Sequence, residues 1–386
     1  SLNSKELFHS NLLAWFATRF TPEAAEVFRP WSHQGRDGHG GRETAERETG
    51  HVDLVLRLPG LAPIAIENKV WSLPDDQQLA RYAAGALKGL DHASLVLLSF
   101  TRPRWPSDAH VLGGREWCYR SYADLADALE PVARRLSAEA DDDRRFGGEV
   151  LVRYVSMVRR LCRVAHEVAR LGEQDRVSFE PRLLGQLKRA RLHDAVGKLR
   201  AHQVVGEIKH RLAEHGPVAE LSPEEPAFRQ FCPPGTQSKG PGWSVLRIRG
   251  RLVGLEATFS HAKPANTGMV ELANGDWLGW QYQEGQWRLA VVTAQHNERT
   301  EDSRARRHRY VADSYDQSRT WFDFGPLGVA LGHPVQPESP RGTNRYHRFD
   351  PNFAYRYCRV DTDKTGLTLG KVVDLGVQYL ELALAW

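Results

Sequence analysis

What is scarce in the sequence narrows the reading first. Only four cysteines occur, Cys118, Cys162, Cys232 and Cys358, with no C-x-x-C pair and no zinc-ligand spacing. That pattern predicts reduced thiols in a cytoplasmic protein, not a disulfide framework or a structural zinc site. No stretch approaches the roughly 20 apolar residues of a membrane span, so no membrane partner is expected. The opening SLNSKELFHSNLL lacks the basic start and apolar core of a signal peptide and, without Met, reads as a processed end. Charge of one sign is also lacking: 52 Lys and Arg face 48 Asp and Glu, for a net charge of +4. A balance this mild accommodates a polyanionic partner without requiring one. Neither an internal repeat nor a long low-complexity segment is present.

What is there is an ordinary globular composition, 41% hydrophobic and 26% charged, over 386 residues. That length exceeds what one hydrophobic core usually serves, so two domains are expected, 1–175 and 176–386. In the first, Leu7, Leu12, Leu13, Trp15, Phe16 and Phe20 recur near helical period, predicting a helix over 4–20. A Gly-rich charged loop over 33–50 leads to HVDLVLRL and IAIENKV, two strands joined by PGLAP. A helix over 76–87, a buried strand SLVLLSF and helices over 122–136 and 149–171 follow. The run Asp141 to Arg145 between them reads as a solvated, charged connector. Strand, strand, helix, strand is an α/β core. Residues 179–214 look helical. Beyond Pro217, WSVLRIRGRLVGLEATF and WLGWQYQEGQWRLAVVT alternate and turn at glycines, predicting a second α+β domain closed by a helix over 371–386.

The chemistry concentrates in IAIENKV. Successive strand side chains point to opposite faces, so Ala65, Glu67 and Lys69 project together from a run that otherwise reads as buried. A hairpin symmetric about Gly60 sets Asp53 opposite Glu67, bringing two carboxylates and an ammonium onto one patch of sheet. Two carboxylates in an apolar sheet are costly unless compensated. A divalent cation resolves the cost, and oxygen donors of this kind suit Mg²⁺, which takes one or two carboxylates and keeps several waters. Lys69 then has a task beyond charge balance: it can orient the nucleophilic water and offset charge growing on phosphorus. Gln78 and Tyr82, spaced i, i+4, share a face of the next helix and can hydrogen-bond near the site. Gln77 lacks that relation to Tyr82.

The order Asp53, then Glu67-x-Lys69, then Gln78-Leu79-Ala80-Arg81-Tyr82 resembles the PD-(D/E)XK nuclease superfamily. IAIENKV is similar to the I-E-N-K form of its second motif, and GHVDLVL to the G-x-x-D segment before it. The opening FHSNLLAWF resembles one bacterial stand-alone branch, in which an early Glu assists the metal; Glu6 is the matching position. Val52 stands where the superfamily's name has Pro. The likeness covers about residues 4–100. It implies a restriction-endonuclease-like core, a central mixed sheet flanked by helices. It also implies metal ligands Asp53, Glu67 and the Asn68 backbone carbonyl, with Glu6 as a further candidate. Mg²⁺ or Mn²⁺ would be the cofactor and DNA the substrate, RNA not being excluded. Such nucleases are often associated with defence against foreign DNA. The alternative is an inactive nuclease-fold module that binds nucleic acid or senses an effector.

Other residues carry both a chemical and a plain structural reading. Arg304, Arg306, Arg307 and Arg309 can track phosphates or belong to a solvated loop. Trp277, Trp280, Tyr282 and Trp287 can stack on bases or fill a core. His9 and His51 can approach the site or be satisfied structural histidines. The C-terminal half can grip DNA through these arginines and those between Arg182 and Arg211, or build a homodimer interface with exposed aromatics.

Overall fold

The computed structural model describes residues 5–32, 44–47, 52–70, 76–86, 90, 92–103, 105–221, 225–230, 243–260, 263–283, 285–294, 301–317, 320–340, 345–348, 353–360 and 366–386. The chain divides into two compact units, Ser1–Val168 and Ala169–Trp386.

The first unit opens with α1 (Lys5–Arg19) and α2 (Thr21–Phe28) and then builds a six-stranded mixed sheet. Its strands are β1 (Thr44–Arg47), β2 (Leu54–Arg57), β3 (Ile64–Lys69), β4 (Ser94–Ser99), β5 (Ala109–Leu112) and β6 (Arg115–Ser121). Their order is β1-β2-β3-β4-β6-β5. The β3–β4 and β4–β6 pairs are parallel and the others antiparallel. Between β3 and β4 lies α3 (Asp76–Arg81), continued by a π-helical turn over Tyr82–Ala86. After β6 come α4 (Tyr122–Ser137) and α5 (Asp142–Arg163).

All six β3 residues are buried, as expected of a strand covered on both faces. Ile64 and Ile66 join Phe16, Tyr122, Leu129 and Leu151 in one core, beneath α1, α4 and α5. Ala65 joins Leu79 of α3 with Trp105 and Trp117 in a second core on the opposite face.

The charged run after α4 is not a loop. Asp141 caps α5 by accepting the Arg144 N–H at 2.8 Å, and Asp142 and Asp143 occupy the positive end of the helix dipole. Arg144 reaches both Glu23 and Glu139. Acids at a helix start are structure-forming, so α5 begins seven residues before the expected 149.

The second unit holds α6 (Pro181–Arg189) and α7 (His193–Glu214) in place of one continuous helix. Arg191, with φ 55°, interrupts them in the left-handed region. There follow β7 (Val218–Glu220), α8 (Pro226–Gln230), β8 (Trp243–Ile248), β9 (Arg251–Ser260), β10 (Lys263–Glu271), β11 (Trp277–Gln283) and β12 (Gln286–Val292). Next come α9 (Glu301–Val311), α10 (Gly325–Leu331), β13 (His347–Arg348), β14 (Phe353–Arg359) and α11 (Leu369–Leu384). The eight strands form one antiparallel sheet, β13-β14-β12-β11-β10-β9-β8-β7. One face is packed by α7 and α11 around Trp280 and Trp287, whose rings stack at 5.0 Å. Gly376 makes that packing possible, since a Cβ there would stand 2.7 Å from the Trp280 ring.

Candidate active site

The site grows from the β2–β3 hairpin. Leu54 pairs with Ile66, Val55 with Ala65 and Leu56 with Ile64, so the connection is symmetric about Gly60, whose φ of 65° suits a residue without a Cβ. Carried one step beyond the last pair, the same register sets Asp53 against Glu67. Asp53 flanks β2, and its Oδ2 accepts the Asn68 backbone N–H at 2.7 Å. The carboxylate thus continues the hairpin's hydrogen bonding past the point where the backbone ladder stops.

Glu67 is 2% exposed and Lys69 9%. The Lys69 ammonium lies 2.8 Å from Glu67 Oε1. Gln78 Nε2 donates to the same Oε1 at 3.0 Å and contacts the Tyr82 hydroxyl at 2.5 Å. The helical spacing of Gln78 and Tyr82 therefore delivers both to the Glu67 face of the sheet. Two further contacts fix α3 there. Trp105 Nε1 donates to Asp76 Oδ1 at 2.9 Å at the helix start. Gly113, with φ 59°, packs so closely on α3 that a Cβ would stand 2.2 Å from the Ala80 carbonyl oxygen.

Asn68 points the other way. Its side chain shares the face of Ile64 and Ile66, where it is 1% exposed. The Asn68 Nδ2 donates to Ser10 Oγ of α1 at 3.2 Å, and the Tyr122 hydroxyl of α4 donates to Asn68 Oδ1. Tyr122 stacks on Phe100 at 4.1 Å, and the His9 ring stands edge-on to it at 5.0 Å. His9 Nδ1 is 2.8 Å from the Tyr154 hydroxyl, and burial lowers its pKa to about 4. His9 is thus a satisfied, neutral core histidine. Sequence reasoning does not reach Ser10, Tyr122, Asp76 or Trp105. One signal for them exists: an Asn on the apolar face of a buried strand must find partners.

The donors present fit a hard divalent cation. Two carboxylates, Asp53 and Glu67, and the carbonyl of Asn68 offer hard oxygen donors, the kind that Mg²⁺ takes, with water filling the rest of its octahedron. Among the described residues no three His, Cys, Asp or Glu side chains gather into a metal cage. Glu6 lies in α1; its side chain, like those of Gln77 and Arg304, is outside the described residues, and so is His51.

The remaining candidates lie in the second unit, and several expectations are corrected there. Arg304, Arg306, Arg307 and Arg309 belong to the helix α9, not to a loop. Arg307 is 2% exposed and does not present its charge to a phosphate backbone, whereas Arg306 and Arg309 are exposed. Trp277, Trp280, Tyr282 and Trp287 are all buried in the two cores of that sheet, so base stacking on them is ruled out. Arg200 lies over the Phe179 ring at 4.4 Å, and Arg211 pairs with Asp374 at 2.9 Å, so both are held by the fold. No helix among the described residues is long and apolar enough to cross a membrane. No family model, no curated protein and no solved structure matches the chain.

Proposed function

We propose that this protein is a Mg²⁺-dependent nuclease that hydrolyses phosphodiester bonds of DNA, with Mn²⁺ able to substitute. One observation carries the reading: the Asp53 carboxylate holds the backbone N–H of Asn68, the residue after a buried Glu67 whose Oε1 is shared by Lys69 and Gln78. A surface salt bridge needs neither the second carboxylate nor the burial. Asp53, Glu67 and the Asn68 carbonyl would hold the cation, which supplies Lewis-acid polarisation of the phosphate and a more acidic water. The chain's own groups do the rest. Gln78 fixes the Glu67 carboxylate, and Tyr82 fixes Gln78. Lys69 orients the attacking water and offsets negative charge developing on the phosphoryl oxygens. The attacking water gives up one proton to bulk solvent as its oxygen bonds to phosphorus, the bond to the leaving sugar oxygen breaks, and that oxygen takes up a proton from solvent.

The test is incubation of the purified chain with supercoiled plasmid, linear duplex, single-stranded DNA and RNA, under Mg²⁺ or Mn²⁺. Cleavage that EDTA abolishes and Lys69→Ala eliminates is expected. Equal cleavage by wild type and variant would assign the activity to a contaminant and sink the reading. The Lys69–Glu67 ion pair at 2.8 Å also supports a second reading, an inactive nucleic-acid-binding module in which the lysine alone neutralises the acid. Nucleic-acid binding indifferent to EDTA, with no cleavage under either metal, would favour it.

A further inference from the structure

Asn68 occupies a position through which both faces of the central sheet meet. Its neighbours Glu67 and Lys69 direct their side chains to the α3 face, while its own amide is buried on the face covered by α1 and α4. On that face it interrupts the apolar series of Ile64 and Ile66 and pairs in register with Leu98 of β4. A leucine or valine would bring no polar atom of its own to satisfy, but it would take away the acceptor of the buried Tyr122 hydroxyl and the donor to Ser10. What the amide adds is anchorage at both ends: Oδ1 takes the Tyr122 hydroxyl, and Nδ2 donates to Ser10. Ser10 and Tyr122 are themselves buried, and the Tyr122 ring is fixed by its stack on Phe100.

The same residue's backbone faces the site. Its N–H holds Asp53 Oδ2, and its carbonyl is the third candidate oxygen ligand. We infer that Asn68 is a positioning residue, whose side chain, clamped between α1 and α4, fixes the peptide that aims Asp53 and so sets the cation affinity of the site. This rests on the nuclease reading. The clamp touches neither substrate nor cation. It acts by preventing β3 from shifting against Asp53 at the point where the β2–β3 ladder has ended. A partner behind a ligand is commonly worth ten- to hundredfold in metal affinity, and here that partner is reached through one residue's side chain and backbone together.

The experiment measures Mn²⁺ binding to the full chain by calorimetry, with no nucleic acid present, alongside melting temperature. Asn68→Leu removes the amide at similar volume. Tyr122→Phe removes one anchor and keeps the ring stack. Leu151→Ala, in the same core but off the network, controls for general loosening. Asn68→Leu is expected to weaken Mn²⁺ binding about tenfold or more, and Tyr122→Phe severalfold. Leu151→Ala should stay within about twofold despite an equal or larger fall in melting temperature. If Asn68→Leu does not fold, Tyr122→Phe decides alone. Wild-type affinity in a folded clamp variant, with the wild type still cleaving DNA, overturns the inference and spares the nuclease reading. A wild type that binds no Mn²⁺ defeats the nuclease reading and this inference with it.

Discussion

Glu67 in the first unit and Asp276 in the second are both buried carboxylates, yet they are compensated in opposite ways. Asp276 is 0% exposed and surrounded by neutral donors. Its Oδ2 accepts from the hydroxyls of Tyr310 at 2.7 Å and Tyr315 at 2.6 Å, and from the Asn274 amide at 3.2 Å. Its Oδ1 accepts the Ala294 N–H at 2.9 Å. The result ties the β10–β11 turn to α9 and to the turn after it. Burial, reinforced by the bond to Asp276, pushes the Tyr315 phenol well above its usual range. Glu67 instead has a cation, Lys69, and one amide on a single oxygen, while a second carboxylate, Asp53, holds the N–H of the next residue. A carboxylate saturated by neutral groups serves the fold. One held beside a lysine, next to a second acid, is compensated by charge and is the carboxylate on which the proposed cation site rests.

The strongest way to break this contrast is chemical. Replacing Lys69 with Met should lower DNA cleavage by about 10²–10⁴-fold, the range expected for a positioned proton-handling or charge-stabilising group. The double variant Glu67→Gln with Lys69→Met removes both charges together, and melting should place it within about 1 kcal/mol of wild type, as for many buried pairs replaced whole. Asp276→Ala should do the reverse. It strands two hydroxyls and a backbone N–H, costs about 3 kcal/mol or more in urea unfolding, and leaves cleavage per folded molecule unchanged. A cleavage defect in Asp276→Ala below its unfolding transition would erase the distinction.

A pH series sharpens it further. His9 has its folded pKa lowered to about 4 from 6.5, so between those values the unfolded chain binds more protons. Its contribution is complete above pH 6.5 and is lost as pH falls towards 4. The loss amounts to about 3 kcal/mol by proton linkage. His9→Leu should flatten that part of the stability profile; an unchanged slope would place the titration elsewhere. The smallest effect belongs to the exposed Arg306 and Arg309. Reversing both should reduce the log–log salt dependence of DNA binding by up to about 0.9 for each phosphate no longer neutralised. An unchanged slope, with a dimer seen by light scattering, would leave assembly as the role of this half.

How far the sequence carried depends on the distance over which each relation acts. The hairpin register, the shared face of Glu67 and Lys69, and the approach of Gln78 with Tyr82 follow from periods of two and 3.6 along short stretches, and the structure reproduces them. Ser10 and Tyr122 lie 58 and 54 positions from Asn68, and Trp105 lies 29 from Asp76. Nothing in local periodicity pairs them. The displaced α5 start has a readable cause: Asp141 and its acidic neighbours form an N-terminal signature, which charge density disguises as a loop. Arg307 shows the converse. A basic run in a polar segment gives no hint that one arginine turns inward once the segment becomes helical.

The spacing of these contacts also sets what each costs to close in chain entropy. The bond from Asn68 to Asp53 closes 15 residues, and that from Gln78 to Glu67 only 11. The Tyr122 anchor closes 54. By loop-closure entropy the longer link costs about 1 kcal/mol more than the hairpin's, and it waits for β4, β6 and α4 to be in place. The site's local contacts are therefore the cheaper to close, and its stiffness is drawn from the costlier, long-range link.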